Sequence, residues 1–168
     1  KKNAFNRDGW FALRDAIVEA RNNDAVSVVV ITGAGKDFSS GVDLSDLTGN
    51  PDEKPPFEVM MDELMLLDKP LLAAAKGVAI GFGATALFHC DVVYVGESLR
   101  MRLPFVNLGL VPEAGCSYTL PRNIGYQQAA ELLFTAEWIN AEKAIETGIA
   151  RRIFSDERAI FRRRLPIM

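Results

Sequence analysis

The run from Ser27 to Thr32, SVVVIT, constrains this chain more than any other stretch. β-Branched side chains are stiff at χ1 and sit better on a pleated surface than in a helix. A continuous apolar run of this length fits a strand buried on both faces, as in a parallel sheet covered by helices. Gly33-Ala34-Gly35 then breaks it. Short runs of the same kind recur at Pro70 to Ala75, Asp91 to Val95, Ser98 to Leu103 and Ile149 to Phe154. Helical periodicities lie between them. Trp10, Leu13, Ile17 and Ala20 mark a helix over residues 7–23. Phe57, Met60, Met61, Leu64 and Leu67 mark a second, with a methionine-rich face suited to a core or to an acyl pocket. Gln127 to Phe134 reads as another, and Ala141 to Thr147 as one more, stopped by Gly148. Strands alternating with helices imply an α/β protein with mostly parallel pairing.

At 168 residues the chain is most simply one domain with a real core. A net charge of −3 gives no electrostatic footprint for a nucleic-acid partner. Arg151-Arg152 and Arg162-Arg163-Arg164 read as solvated surface. No apolar run reaches the ~18 residues of a membrane span, and no signal peptide is visible. The two cysteines, Cys90 and Cys116, lack metal-ligand spacing and suit a reducing compartment, so a cytoplasmic location and no metal are expected.

Three stretches carry candidate chemistry. In Leu108 to Pro121, LGLVPEAGCSYTLP, the carboxylate of Glu113 follows a proline and precedes a small-residue turn, Ala114-Gly115. In Phe38 to Leu44, Gly41 frees the backbone and Val42-Asp43-Leu44 could open a short helix with Asp43 in its first turn. Either the Val42 N–H faces a substrate oxygen, or this is a capped turn; spacing alone favours the turn. In Lys76 to Leu87, Gly77, Gly81 and Gly83 surround Ile80 and Phe82. A helix beginning near Phe82 presents unbonded N–H groups and a positive dipole end, or the glycines simply permit close packing. One carboxylate and two such turns suggest proton transfer beside a carbonyl. Apolar neighbours Phe105, Val106, Leu110 and Val111 are positioned in sequence to desolvate Glu113 and raise its pKa. An exposed loop acid fits the spacing equally well. His89, the only histidine, reads as structural. Residues 48–56, TGNPDEKPP, read as a polar, proline-rich loop.

The combination is more specific than its parts. VVVITGAGKDFSSGVDLSDL, then KPLLAAAKGVAIGFGATALFHCDVVYVGE, LPFVNLGLVPEAGCSYTLPRNIG and INAEKAIETGIARRIF, resembles the enoyl-CoA hydratase/isomerase (crotonase) superfamily from Lys1 to Phe154. The resemblance implies a spiral of repeated ββα units that binds acyl-CoA thioesters without a further cofactor and assembles as trimers or hexamers. Residues 1–154 form the acyl-CoA-binding core and 155–168 a C-terminal tail. The resemblance implies a strand before KKNAF and helices after IARRIF, which are expected to lie beyond the 168 residues of this sequence or to be absent.

By motif position, Val42 and Phe82 supply the oxyanion-hole amides. Ser40, Gly41, Asp43, Leu44, Gly81, Phe105 and Leu110 are implied to line the substrate; Lys1, Lys2 or Lys36 could meet the CoA phosphates, but lone lysines more often face solvent. The hydratases of the family carry two glutamates where this sequence has Thr85 and Phe105. Glu113 in PEAGCSYTLP instead resembles the single glutamate of the Δ3-Δ2-enoyl-CoA isomerases of the peroxisomal type. The resemblance therefore implies an isomerase with Glu113 as its base. A non-catalytic acyl-CoA-binding member, and a hydratase or other crotonase reaction, are the alternatives.

Overall fold

The computed structural model describes residues 2–43 and 53–156. The chain opens with α1 (Arg7–Asn22), whose N-terminus is capped by the Asn6 side chain accepting from the Gly9 amide. At its other end the Lys69 ammonium donates to the Ala20 and Asn23 carbonyls at 2.6 and 2.8 Å, placing a cation on the orphan oxygens. Strand β1 (Val29–Thr32) follows, then α2 (Pro56–Met65), with a proline at the first helical position. The Arg21 guanidinium meets the Glu63 carboxylate at 2.6 Å and ties α1 to α2.

The rest of the chain repeats one unit. Strand β2 (Leu71–Ala75) leads into β3 (Val78–Ile80) and then α3 (Phe82–Thr85), which continues as a 3₁₀ turn over Ala86–His89. Strand β4 (Val92–Gly96) leads into β5 (Arg100–Arg102), a 3₁₀ turn (Val106–Leu108) and α4 (Cys116–Ile124). Helix α5 (Tyr126–Thr135), β6 (Ile139–Asn140), α6 (Ala141–Glu146) and β7 (Arg152–Phe154) complete it. Each unit gives one strand to a four-stranded parallel sheet, order β1-β2-β4-β7, and the next to a three-stranded sheet, order β3-β5-β6. This is the expected ββα spiral. Its one antiparallel pairing among the described strands is β5 with β6.

Strand β2 is central, and all five of its residues are buried. Its small side chains, with Ala79 and Ala84, let strand, sheet and helix approach closely within the main core. That core also holds Leu87, Leu99, Met101, Leu103 and Leu120, each at most 1% exposed. A second cluster gathers Trp10 and Ile17 of α1, Met60 of α2, and Phe82 and Ala86. The Phe5 and Trp10 rings stack at 4.4 Å, and Phe82 meets Trp10 edge-on at 4.8 Å.

Three expectations are corrected. Strand β1 is shorter than SVVVIT and is not buried on both faces: Val28 and Val30 are 39% and 38% exposed. Among the described strands it is a sheet edge, paired only with β2, so its covering is incomplete. The last strand begins at Arg152 rather than Ile149. Val42 does not open a helix; it forms an extended bridge with Phe5. The remainder of that proposed helix, from Leu44, lies outside the described residues, as do residues 48–52 of the polar loop and most of the tail.

Met60 is fully buried between α1, α2 and α3. Truncation to alanine removes its contacts and leaves a cavity. Met60→Ala should lower the unfolding free energy by about 2–5 kcal/mol, seen as a lower urea midpoint at unchanged slope.

Candidate active site

The two expected amide donors are brought together by backbone pairing. Residues 38–42 run beside β3: the Ser39 N–H donates to Val78 O and the Ile80 N–H to Ser39 O, both at 3.0 Å. On the other flank the Phe5 N–H donates to Gly41 O and the Asp43 N–H to Phe5 O, both at 2.8 Å. These bonds use the Gly41 carbonyl and the Asp43 N–H, the Gly41 N–H donates to Ser39 Oγ at 3.1 Å, and the Val42 N–H is left directed away from Phe5. Among the described residues neither the Val42 nor the Phe82 N–H donates to a protein acceptor. An amide unbonded at the edge of a packed core needs a partner beyond the described residues.

Two glycines allow this approach. Gly41 has φ 82°, and a Cβ there would lie 2.6 Å from Ile80 O and 3.3 Å from Phe82 N. Gly83 presses on the Ser39 carbonyl, where a Cβ would overlap it. Gly81, at φ 54°, makes the left-handed turn that starts α3. Because α3 proper has only four residues before it tightens to 3₁₀, its dipole is short. The donor strength expected of Phe82 therefore rests on its N–H itself.

The carboxylate comes from the loop before α4. Glu113 Oε1 accepts a 2.8 Å hydrogen bond from the Thr85 hydroxyl, which is fully buried. The next carbonyl, Ala114 O, accepts from His89 Nε2 at 2.8 Å, so this nitrogen of the ring carries the proton. Ala114 and Gly115 are both left-handed, at φ 49° and 64°, which turns the chain into α4. Val42 and Ala114 pack against the cluster that holds Phe82. The two donor segments and the carboxylate loop thus share one apolar surround. Burial raises the Glu113 pKa, and the Thr85 hydrogen bond opposes this. The Cys116 thiol is pushed up to about 12, by burial first and then by the Glu113 charge, so it stays neutral.

The structure places the remaining candidates as follows. Phe105 is buried. Ser40 is half-buried and donates its amide to Lys2 O at 3.0 Å. Asp43 is half-buried. Leu44 and Lys1 lie outside the described residues. Lys2 and Lys36 are exposed, and Lys2 sits 3.9 Å from Asp37. Leu110 is 59% exposed, Val106 51% and Val111 83%, so these three do not desolvate Glu113. Its polar and packing partners are instead Thr85 and Cys116, from two helices. An apolar recess of about 450 Å³ lies between α1, β1 and α3, lined by Leu13, Ile17, Val29, Ile31 and Phe82. Neither Glu113 nor Thr85 borders it, so the carboxylate lies outside it.

Residues 1–164 match the enoyl-CoA hydratase/isomerase family. The chain belongs to that family. It is 32% identical over 162 residues to a 2,3-dehydroadipyl-CoA hydratase of Escherichia coli K12, covering 93% of this chain and 62% of that protein. It is 30% identical to a 1,2-epoxyphenylacetyl-CoA isomerase of the same organism, covering 92% and 63%. Among solved structures it is similar to an enoyl-CoA hydratase/isomerase from Pseudoalteromonas atlantica T6c, with a TM-score of 0.88 and 36% identity over 93% of this chain and 62% of that one. The chain thus spans about three fifths of the length of these relatives, and its ββα spiral is the family's crotonase fold.

The raised Glu113 pKa has a sign that can be checked. A carboxyl whose folded-state pKa lies above its unfolded value favours the fold when protonated, and that contribution is lost as pH rises through the folded value. Glu113→Gln should therefore raise the melting temperature at neutral pH. The difference should shrink as pH falls toward the ordinary carboxyl value of 4.5.

Proposed function

We propose that this chain is the acyl-CoA-binding core of an enoyl-CoA isomerase that moves a double bond from the 3 to the 2 position. The observation that carries the reading is the placement of Glu113, a desolvated carboxylate bonded to the short helix whose first amide, that of Phe82, has no acceptor among the described residues. The positions where the resemblance would put hydratase glutamates hold Thr85 and Phe105, both buried. An exposed loop acid would need neither the Thr85 bond nor the desolvation.

The chemistry follows from these parts. The thioester oxygen sits between the Val42 and Phe82 amides. Glu113 removes a proton from C2, and the negative charge spreads onto the thioester oxygen as a dienolate. The two N–H groups stabilise that charge more than they stabilise the neutral carbonyl, which is what lowers the barrier. Glu113 then returns the same proton at C4, and the double bond ends in conjugation. No water enters and no group leaves, so one carboxylate suffices. Burial raises the proton affinity of Glu113, which makes it a stronger base than an exposed carboxylate. A second reading, water addition to a 2-enoyl thioester, is favoured by the hydratase among the relatives. It would require Glu113 alone to orient and deprotonate the water.

The test is conversion of a 3-enoyl-CoA to its conjugated 2-enoyl isomer, followed by ultraviolet absorbance. Glu113→Gln should lower kcat by about 10²–10⁴-fold. Equal rates would remove Glu113 from the reaction, and a 3-hydroxyacyl product from a 2-enoyl-CoA without isomerisation would favour the hydratase. Gly41→Ala forces a side chain onto the Ile80 carbonyl and separates the two donors. It should lower kcat by ~10²–10³-fold, the cost of losing one oxyanion contact.

A further inference from the structure

Thr85 ends α3 and His89 ends the 3₁₀ turn that continues it. Both side chains meet the loop before α4, at two adjacent residues. The Thr85 hydroxyl holds the Glu113 side chain at Oε1, and the His89 ring holds the Ala114 carbonyl, both at 2.8 Å. The same segment begins with Phe82. One short element thus fixes an oxyanion amide, the carboxylate and the main chain that carries it. The Ala114 backbone is left-handed, a conformation a non-glycine residue keeps only when its surroundings hold it.

We propose that Thr85 and His89 are the positioning residues of the Glu113 base: Thr85 occupies Oε1 so that the migrating proton rides on Oε2, and His89 holds the Ala114 turn that aims the carboxylate. This rests on the isomerase reading for the proton's path, but the clamp itself does not. The Thr85 hydroxyl has one proton to give. With Glu113 ionised, that proton goes to Oε1 at 2.8 Å rather than to the Phe82 carbonyl at 3.4 Å. With Oε2 protonated, Oε1 remains an acceptor and the bond persists. The proton is therefore taken up and returned at one oxygen, and no rotation of the carboxyl group is needed between C2 and C4. The titratable groups nearest this loop from the packing elements are Cys116 on α4, which feels the Glu113 charge, and His89 on the 3₁₀ turn, which bonds the neighbouring Ala114 carbonyl. The thiol is neutral at working pH, so the Thr85 hydroxyl is the tunable contact.

The test compares Thr85→Val, which keeps the shape and removes the hydroxyl, with Thr85→Ser, which keeps the hydroxyl. It likewise compares His89→Ala with His89→Gln, whose amide can still donate to Ala114 O. Two readouts are taken on each folded variant. One is kcat on a 3-enoyl-CoA across pH. The other is the Glu113 titration by NMR of carboxyl-¹³C glutamate, assigned against Glu113→Gln. A hydrogen bond to a charged group is worth roughly 10–100-fold, so Thr85→Val should lose about that much kcat with KM little changed. Its acid limb and its Glu113 titration should both move to higher pH, because the bond that favoured the charged form is gone. Thr85→Ser should restore both. His89→Ala should lower kcat, and His89→Gln should recover most of it. An unmoved Glu113 titration in Thr85→Val, or equal kcat for His89→Ala and His89→Gln, would overturn the clamp. A shifted titration in a protein that isomerises nothing would leave the clamp standing and defeat the isomerase reading instead.

Discussion

The close approach of two backbones, residues 39–42 and 78–82, is the constraint on which the site depends. Main-chain hydrogen bonds on both flanks hold the first segment between Phe5 and β3. The Asp43 N–H is used there and the Gly41 N–H goes to Ser39 Oγ, while the Val42 amide has no acceptor among the described residues. Glycine at 41 and 83 is what lets the segments touch, since any larger residue would meet a carbonyl oxygen. The spacing of the two donors is therefore set by sheet geometry rather than by mobile side chains. Such donors need no rearrangement when charge develops, and this is the basis of preorganised electrostatic stabilisation.

Around this backbone core the aromatic cluster does mechanical work. Phe82 packs its ring against Phe5, Trp10 and Phe57 while its amide heads α3. Helix α1 and helix α2 thus press on the residue that carries one donor. The carboxylate reaches the same element from the other side through Thr85. Burial of Glu113 and its single hydrogen bond act in opposite directions on its proton affinity, and burial is the larger influence.

Much of this was legible in the sequence, and what was not has physical reasons. Periodicity placed α1, α2, α5 and α6 within a residue or two, because each buries one face and meets the surface with the other. The Ala-rich β2 read correctly as fully buried. Strand β3 went unread because it has three residues, and its Gly77 and Gly81 neighbours look like turn. The apolar run at β1 suggested two covered faces, but run length reports hydrophobicity and not which neighbours arrive. Glu113 stood out as a carboxylate between a proline and a small-residue turn. The side chains that surround it did not: Val106, Leu110 and Val111 are near in sequence and exposed, whereas Thr85 lies 28 positions away.

The burial of both thiols has a practical side. The half-buried Cys90 and the buried Cys116 are each pushed up to about 12, so both resist ionisation at neutral pH. Alkylating reagents attack the thiolate. A cysteine placed on the exposed face of α1 would therefore be the one reactive thiol in this chain, and a fluorophore or spin label could be attached there with the native sulfurs left in place.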